Sequence, residues 1–282
     1  MAFLSGTVPV DADVAALADL IRSRPTVVLS GAGISTESGI PDYRSPRPEP
    51  RRAPVTYQEF VGHEAVRRRY WARSAVGWRR VADARPNAGH AALAALERAG
   101  YVRGILTQNV DRLHQAAGST RVLELHGALD GVVCLACGTR SPRARMQARL
   151  LELNPDLGAA DAPVAPDGDA DLTDRRIAGV RVPACEACGG ILKPDVVFFG
   201  ENVPKPRVEQ AWDLYGEGEV LLVVGSSLTV FSGYRFVLRA SQERRPVAIA
   251  TLGPTRGDAL ARLRVEGALG TTLPALVRAL GA

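Results

Sequence analysis

Short apolar runs rich in β-branched residues alternate with Ala/Leu-rich helical patterns along most of the chain. This alternation is typical of βαβ units built on a parallel sheet. The predicted strands cover residues 26–30, 102–107, 122–125, 220–225 and 247–252, and the predicted helices cover 12–22, 88–99, 208–215 and 233–240. We therefore predict an α/β fold with a doubly wound parallel sheet.

The composition fits a globular chain without a membrane segment. Of the 282 residues, 46% are hydrophobic and 23% are charged, which is close to the globular average. No apolar run approaches the roughly eighteen residues that a transmembrane helix needs, so we expect no membrane partner. The N-terminus has acidic residues but no basic residue before Arg22, unlike a signal or transit peptide. We expect a cytoplasmic protein.

The basic residues do not form one concentrated patch in the sequence. The net charge is +5, and short arginine runs at 67–69, 79–80 and 244–245 are separated by acidic residues. Nucleic-acid sites usually show a basic stripe or cluster. We therefore interpret these arginines as a solvated basic surface and do not expect nucleic acid as a partner.

All four cysteines lie between residues 131 and 188, where the alternation of strands and helices is lost. They form two C-x-x-C pairs, Cys134 with Cys137 and Cys185 with Cys188, separated by 47 residues. Two such pairs can place four thiolates at the corners of a tetrahedron around zinc. Disulfides, which are rare in the cytosol, and four incidental buried thiols are the alternatives. Because four thiolates leave no position for water, we predict one structural zinc ion.

A glycine-rich turn, GAGISTESGIPDYR, follows the first predicted strand. Gly31 and Gly33 would let the backbone approach a phosphate group closely. The strict dinucleotide pattern fails, because Thr36 stands where the third glycine is expected. Taken alone, the turn fits either a nucleotide site or a tight connection between a strand and a helix.

Polar residues also follow the other predicted strands, at the sheet edge where ligands of open α/β sheets bind. These residues are Gln108, Asn109, Asp111, His126, Gly225, Ser226, Ser227 and Gly253. Helix caps and turns favour the same residue types, so each cluster also has a structural interpretation. His126 is the one histidine at a predicted strand end, where it could act as a general base or be a core histidine. Packing or surface positions are expected for His63, His90 and His114.

The motifs taken together resemble those of the sirtuins, the NAD-dependent protein deacylase family. In order they are GAGIST with ESGIPDYR, TQNVDRLH, LHG, the two C-x-x-C pairs, KPDVVFFGE, GSSLTV and GPTRGD. They span about residues 27–273, nearly the whole chain. The PDYRS and RYWAR segments and the long insert between the cysteine pairs are most similar to the class II branch.

The resemblance implies a Rossmann-like large domain and an inserted small zinc-binding domain. Residues 20–56, 86–128 and 190–282 would form the large domain, 57–85 the helical part of the small domain, and 129–189 the zinc module. NAD, as co-substrate, and acyl-lysine proteins or peptides would bind between them, and we expect a monomer. The implied reaction transfers the acyl group to ADP-ribose with release of nicotinamide. A protein ADP-ribosyltransferase that uses the same site and a non-catalytic NAD and zinc-binding module are the alternatives.

The resemblance also assigns residues. His126 is the implied catalytic base, acting with Asn109 and Asp111. The implied NAD-binding residues are Gly31, Ala32, Gly33, Ile40, Asp42, Tyr43, Arg44, Gln108, Asn109, Val110, Asp111, Gly225, Ser226, Ser227, Thr251, Leu252, Gly253 and Leu269. Thr251 departs from the family, which usually has Asn at this position, and the departure bears on cofactor affinity. The implied peptide-binding residues are Val196, Val197, Phe198 and Phe199.

One further pair concerns the acyl group. Tyr70 and Arg73 stand three residues apart in RRRYWARS, a spacing that places both side chains on one face of a helix. The pair resembles the Y-x-x-R motif with which class III sirtuins hold acidic acyl chains. We therefore expect Tyr70 and Arg73 to contact the substrate, with a plain surface helix in an Arg-rich chain as the alternative.

Overall fold

Two β-sheets organise the part of the chain that the structure describes. The computed structural model describes residues 11–42, 54–157 and 177–282. Tyr43 and Arg44, two of the predicted NAD-binding residues, lie outside the described residues.

The described elements alternate in the first and last thirds of the chain. In order they are α1 (Asp11–Ile21), β1 (Thr26–Ser30), α2 (Tyr57–Gly62), α3 (Glu64–Asp83), α4 (Ala88–Arg98), β2 (Val102–Thr107), α5 (Leu113–Ala116), β3 (Val122–Glu124), β4 (Gly127–Cys134), β5 (Arg140–Pro142), α6 (Arg143–Leu153), β6 (Leu192–Val196), α7 (Lys205–Gly216), β7 (Val220–Val224), α8 (Phe231–Gln242), β8 (Val247–Ala250), β9 (Leu263–Val265) and α9 (Leu269–Leu280). Short 3₁₀ helices cover Ala32–Ser38, Pro155–Leu157 and Asp258–Leu260.

The larger sheet has six parallel strands in the order β3-β2-β1-β7-β8-β9. The chain therefore winds outward from β1 in one direction and from β7 in the other, which is the doubly wound, Rossmann-like arrangement. This confirms the predicted fold class. The five predicted strands are present, and each begins at the predicted residue and ends within two residues of the predicted end.

Both faces of the large sheet are buried, which explains the continuous apolar runs that predicted its strands. In β1, Val28 packs into a core shared with α1, α4 and α9, whereas Val27 and Leu29 pack into a second core shared with α7 and α8. The strand period of two thus sends alternate residues into opposite cores. Among the described residues, no helix combines the length and apolar character needed to cross a bilayer.

The smaller sheet is antiparallel, has the order β5-β4-β6, and packs with α2, α3 and α6 around a third core. α2 begins with a capping box in which the Thr56 hydroxyl accepts from the Glu59 amide and the Glu59 carboxylate accepts from the Thr56 amide. α3 buries Trp71, whose indole N–H donates to the carbonyl of Leu192 in β6 at 3.1 Å. The third core therefore joins the helical segment 57–83 to the cysteine-bearing module.

Two histidines lie in the packed interior of the large sheet unit. The His114 ring is 5.0 Å from the His90 ring, and its Nε2 lies 2.8 Å from the Ser30 hydroxyl. Ser30 donates in turn to the Thr107 hydroxyl, which accepts the backbone N–H of Asn109. Burial lowers the pKa of His90 to about 4 and that of His114 to about 3. Both rings are therefore neutral at physiological pH, as the packing interpretation requires.

These low pKa values predict a loss of stability in mild acid. Below pH about 6.5 an unfolded histidine takes up a proton, whereas folded His114 and His90 stay neutral until about 3 and about 4. The unfolded state then binds more protons, so the free energy of unfolding falls with pH by up to roughly 1.4 kcal/mol per pH unit for each proton.

His114→Gln removes one titrating ring and keeps a donor toward Ser30, so we expect a shallower fall than in the wild type. Urea unfolding at neutral pH and near pH about 5.5 measures this fall in the free energy of unfolding. The lower pH lies between the ordinary histidine pKa of about 6.5 and the pKa of about 3 for folded His114. His63→Gln, at an exposed helix end, is the matched control. Equal slopes in His114→Gln and wild type would contradict this interpretation.

Candidate active site

The carboxyl ends of β1 and β7 lie where the winding of the sheet reverses, which is where open α/β sheets form the crevice that binds their ligands. The two turns that leave these strands touch through their backbones. Gly31 N donates to Val224 O at 3.0 Å, and Gly33 N donates to Gly225 O at 2.8 Å. A Cβ atom on Gly33 would lie only 2.8 Å from that Gly225 oxygen. Glycine is therefore required at this crossing, and the backbone of residues 31–33 borders the crevice as a nucleotide site needs.

The residues after β2 form a hydrogen-bonded network beneath this crossing. The Asn109 amide donates to the Ser35 hydroxyl at 3.0 Å and to Gly31 O at 3.2 Å. The Ser35 hydroxyl donates to Asp111 at 2.6 Å, and the other Asp111 oxygen accepts the Leu113 N–H at 3.0 Å. The network fixes Asn109 and Asp111 relative to the glycine turn, so it can orient the sugar of a bound nucleotide.

Gln108 connects the ends of three elements. Its amide nitrogen donates to the Ser226 hydroxyl after β7 at 2.7 Å and to the Ser30 carbonyl of β1 at 3.3 Å. Its backbone carbonyl accepts from His126 Nδ1 at 2.9 Å. The structure thus brings the predicted residues Gln108, Ser226 and His126 into one site.

His126 follows β3 and has a defined partner for each ring nitrogen. Because the Gln108 carbonyl can only accept, Nδ1 carries the proton and Nε2 carries the lone pair. Burial lowers the pKa of His126; the Gln108 carbonyl opposes this shift, and the Arg207 and Arg235 charges add to it. His126 is therefore neutral near physiological pH, with Nε2 able to accept a proton.

The predicted peptide segment is attached to His126 through the backbone. Val197 N donates to the His126 carbonyl at 2.8 Å, and Val196 pairs with Gly127. Phe198 points into the third core, whereas Phe199 is 45% exposed. The four residues 196–199 therefore lie beside His126, as expected for a segment that pairs with a peptide.

A buried lysine holds this segment in shape. The Lys193 ammonium donates to the Val196 carbonyl and lies 3.1 Å from a Glu201 carboxylate oxygen. The same oxygen accepts the Phe198 N–H at 2.9 Å. Because the Lys193 side chain is only 5% exposed, this ion pair is shielded from water and rigidifies the backbone of residues 196–198.

Tyr70 and Arg73 lie on α3, one turn apart. Tyr70 is 4% exposed, and its ring packs against Phe60 and Phe198 at centroid distances of 5.5 and 5.2 Å. The surface-helix alternative is therefore wrong for Tyr70. Arg73 is half-buried and, three residues after Tyr70, lies on the same face of α3 as Tyr70. α3 thus brings Tyr70 to the segment 196–199, and a role of the pair in substrate binding stays a prediction.

The remaining predicted NAD-binding residues surround the crevice at varied depth. Ala32 begins the 3₁₀ helix after β1, Ile40 is buried behind it, and Asp42 ends the first described range. Ser227 is half-buried and Val110 packs against the third core. After β8, Thr251 is buried, Leu252 is 46% exposed, and Gly253 has a φ of 70°. Leu269 opens α9, and its side chain is buried against the Gly225 turn.

The four cysteines form one cluster at the edge of the small sheet. Their Sγ atoms all lie within 4.8 Å of one another, with 3.5 Å between Cys134 and Cys188 and 3.8 Å between Cys137 and Cys185. A tetrahedral zinc ion with Zn–S bonds of about 2.3 Å requires sulfur separations of about 3.8 Å. The donor set therefore fits a structural zinc ion with four thiolate ligands.

The two cysteine turns have the same local structure. Each pair is followed by a glycine in the left-handed region, Gly138 and Gly189, both with φ of 73°. Gly138 N donates to Cys134 O, and Gly189 N donates to Cys185 O. Each turn thus directs two sulfurs to the same side, and the sequence signal for it is C-x-x-C-G.

Without a cation, four adjacent thiols do not ionise together. Hydrogen bonding to Thr139 lowers the pKa of Cys137 to about 6. The Gly190 N–H favours the thiolate of Cys188, but the neighbouring Cys137 and Cys134 sulfurs outweigh it and raise the Cys188 pKa to about 12. A bound divalent ion supplies the charge that four thiolates need.

Comparisons with known proteins show the family of this chain. The profile of the Sir2 family matches residues 31–232. The chain belongs to the Sir2 family. Among Sir2 relatives, NAD-dependent protein deacetylase 1 of Streptomyces coelicolor is 54% identical over 274 residues, covering 97% of this chain and 92% of the relative. NAD-dependent protein deacetylase 2 of Bradyrhizobium diazoefficiens is 54% identical over 246 residues, covering 87% and 90%. The predicted resemblance to the sirtuins is confirmed.

Solved Sir2 structures share the fold along almost the whole chain. One, from work on the mechanism and regulation of Sir2 enzymes, has a TM-score of 0.75 at 30% identity and covers 96% of this chain and 99% of its own. Another, a Sir2 protein with a deacetylated p53 peptide and 3'-O-acetyl ADP-ribose, has a TM-score of 0.74 at 28% identity and covers 94% and 98%.

Four site residues were not predicted from the sequence. Ser35 joins Asn109 to Asp111, and the Ser232 hydroxyl lies 2.7 Å from His126 Nε2. Arg207 and Arg235 place their charges near the His126 ring. Ser35 lies inside the GAGIST motif and could have been found there. Nothing local marks Ser232, because its role depends on how the first turn of α8 packs against the end of β3.

The cysteine cluster predicts about one zinc ion per chain, and Cys134→Ser should lose both the metal and folding stability. Cys134 is buried, so the loss removes the link between β4 and the second cysteine turn. Metal content by mass spectrometry and the thermal midpoint measure the two effects. A metal-free protein that remains fully folded and active would contradict this prediction.

Proposed function

We propose that this Sir2 protein is an NAD-dependent protein-lysine deacylase that transfers the acyl group to ADP-ribose and releases nicotinamide. The observation that carries the proposal is the unprotonated Nε2 of His126 in the same crevice as the Gly33–Gly225 crossing. A neutral imidazole beside a nucleotide-binding turn supplies a base where a ribose hydroxyl would lie.

The transfer needs a base in only one of its two stages. In the first stage the acyl oxygen attacks the anomeric carbon of the ribose as nicotinamide leaves. In the second, a ribose hydroxyl loses a proton and attacks the acyl carbon of the resulting intermediate. His126 serves the second stage. Asn109 and Asp111, fixed through Ser35, orient the ribose for both stages.

The other side of the crevice would hold the protein substrate. Residues 196–199 supply backbone groups next to His126 for pairing with an extended peptide, and Lys193 keeps them in place. Acyl-lysine proteins or peptides are therefore the proposed partners. The same site could transfer ADP-ribose to protein, and labelling from NAD without an acylated peptide would detect that activity.

The setting of the protein remains part of the proposal. We propose a monomer. We also propose that nucleic acid is not a partner, because the basic side chains are interspersed with acidic ones, as in the pairs Arg121–Glu217 and Arg239–Glu243. We propose the cytoplasm as its location, because reducing conditions keep four cysteines available as zinc ligands.

His126→Ala should abolish deacylation while leaving the fold intact, because the ring is partly exposed to the crevice. Loss of a general base lowers rates by roughly 10² to 10⁴. The initial rate of O-acyl-ADP-ribose formation measures the effect, with zinc content and thermal midpoint as checks on folding. His63→Ala is the matched control at an exposed position. Wild-type turnover by His126→Ala near neutral pH would remove His126 from the mechanism.

We further propose that Tyr70 and Arg73 select the acyl chain. Tyr70 packs against Phe198 of the peptide segment, so the far end of an acyl-lysine inserted beside that segment would approach this helix face. A guanidinium matches a terminal carboxylate in shape and charge, and a phenol hydroxyl can donate to it. The proposed preference is therefore for acidic acyl groups.

Arg73→Met keeps an unbranched apolar side chain and removes the guanidinium and its charge. We expect acidic acyl peptides such as glutaryl-lysine to react faster than acetyl-lysine in the wild type, and this order to reverse in Arg73→Met through a raised KM for acidic peptides. Arg69→Met, also on α3, is the control. Unchanged relative kcat/KM values across acetyl, long-chain and acidic peptides would exclude Arg73 from acyl selection.

A further inference from the structure

Ser232, in the first turn of α8, lies within hydrogen-bond distance of His126 Nε2, the nitrogen that must accept the proton of the ribose hydroxyl. Its hydroxyl oxygen is 2.7 Å from His126 Nε2. Because Nδ1 donates to the Gln108 carbonyl, Nε2 has only a lone pair, and the Ser232 hydroxyl must be the donor of this hydrogen bond. Both nitrogens of the base are therefore occupied by protein groups.

This arrangement restricts how a ribose hydroxyl can reach the base. The single in-plane lone pair of Nε2 already accepts the Ser232 hydrogen. The Ser232 oxygen, in contrast, keeps lone pairs that can accept another hydrogen bond. A hydroxyl entering the crevice can therefore either displace Ser232 or donate its proton to the Ser232 oxygen.

The packing of this turn of α8 opposes movement of the Ser232 backbone away from His126. Gly233 lies so close to Gln108 that a Cβ atom on it would be 2.5 Å from the Gln108 amide oxygen. Arg235 Nε donates to the Ser232 carbonyl at 3.1 Å. The preceding Val230 and Phe231 are 43% and 59% exposed, so the turn borders open space. The Ser232 backbone is thus fixed beside His126 while its surroundings remain accessible, and the hydroxyl contacts Nε2 from that position.

We propose that Ser232 relays the proton from the ribose hydroxyl to His126. The ribose O–H bond breaks as its oxygen forms a bond to the acyl carbon of the intermediate, and the proton passes to the Ser232 oxygen. The double bond between that carbon and the lysine nitrogen becomes a single bond, and its electron pair moves to the nitrogen. The Ser232 proton moves at the same time to His126 Nε2. Ser232 ends as a neutral hydroxyl and His126 as an imidazolium, so protons and electron pairs balance. The relay rests on the proposed deacylase function and adds a residue to its second stage.

The relay and a simple blocking role predict opposite effects of removing the hydroxyl. If Ser232 only covers the lone pair of Nε2, Ser232→Ala exposes the base and deacylation becomes faster. If Ser232 relays the proton, Ser232→Ala leaves the ribose hydroxyl without its acceptor and deacylation becomes slower. The sign of the change therefore separates the two roles.

The experiment compares deacylation with nicotinamide exchange in Ser232→Ala and Ser232→Thr. Exchange of labelled nicotinamide into NAD reverses the first stage and needs no base. We expect deacylation by Ser232→Ala to fall roughly 10- to 100-fold, below the full loss of a general base, while exchange is unchanged. Ser232→Thr, which keeps a hydroxyl, should restore most of the deacylation. Ser241→Ala, exposed at the other end of α8, is the matched control and should behave as wild type.

Three results would overturn the relay: equal or faster deacylation by Ser232→Ala, a parallel loss of exchange and deacylation, or a folded Ser232→Thr that does not recover. A parallel loss would mean that Ser232 only supports substrate binding. A wild-type protein without any NAD-dependent deacylation would overturn the proposed function as well. Active wild type with an equally active Ser232→Ala would overturn the relay alone.

Discussion

The backbone crossing between the turns after β1 and β7 is the constraint on which the rest of the site depends. Two parallel neighbouring strands end here at the same edge of the sheet, and the turns that follow them can touch only where side chains are absent. Gly33 donates to Gly225, and Gly225 itself has a φ of 61°, which favours glycine. Larger side chains would push the turns apart and displace Asn109, which donates to the neighbouring Gly31 carbonyl.

A second close contact between backbones, at Gly127, connects the end of β3 to the small sheet. Gly127 begins β4 directly after His126, with a φ of 77°, and a Cβ atom there would lie 2.0 Å from the Asp195 carbonyl oxygen. The close approach lets Val197 donate to the His126 carbonyl. The base and the peptide segment are therefore parts of one hydrogen-bonded unit, and a shift of the small sheet would move both together. A zinc ion held by the four cysteines at the far end of β4 would stabilise that sheet.

The sequence predicted the large sheet well because its signals are local. Strands buried on both faces are continuous apolar runs, so β1, β2, β7 and β8 could be found without tertiary information. β9 reads Leu-Arg-Val, with a charged residue at its centre, and the small sheet pairs β4 with β6 across the long insert, so neither leaves a local pattern. Tyr70 was ambiguous for the same reason: an Arg-rich helix does not reveal which face packs against Phe198. Ser232 meets His126 across 106 positions of sequence, a contact that only the folded chain creates.

The charges around His126 determine how the base is restored after each turnover. Burial and the guanidiniums of Arg207 and Arg235 lower its pKa, so the ring is neutral before the reaction. After it has accepted a proton, the imidazolium lies in the same unfavourable surroundings, where the Gln108 carbonyl and the Ser232 oxygen accept from its two N–H groups. It is therefore a strong proton donor, and in the proposed reaction the departing lysine nitrogen would take up the proton. Surroundings that make His126 a weak base also make it an effective acid, which suits an acyl transfer that needs both roles in succession.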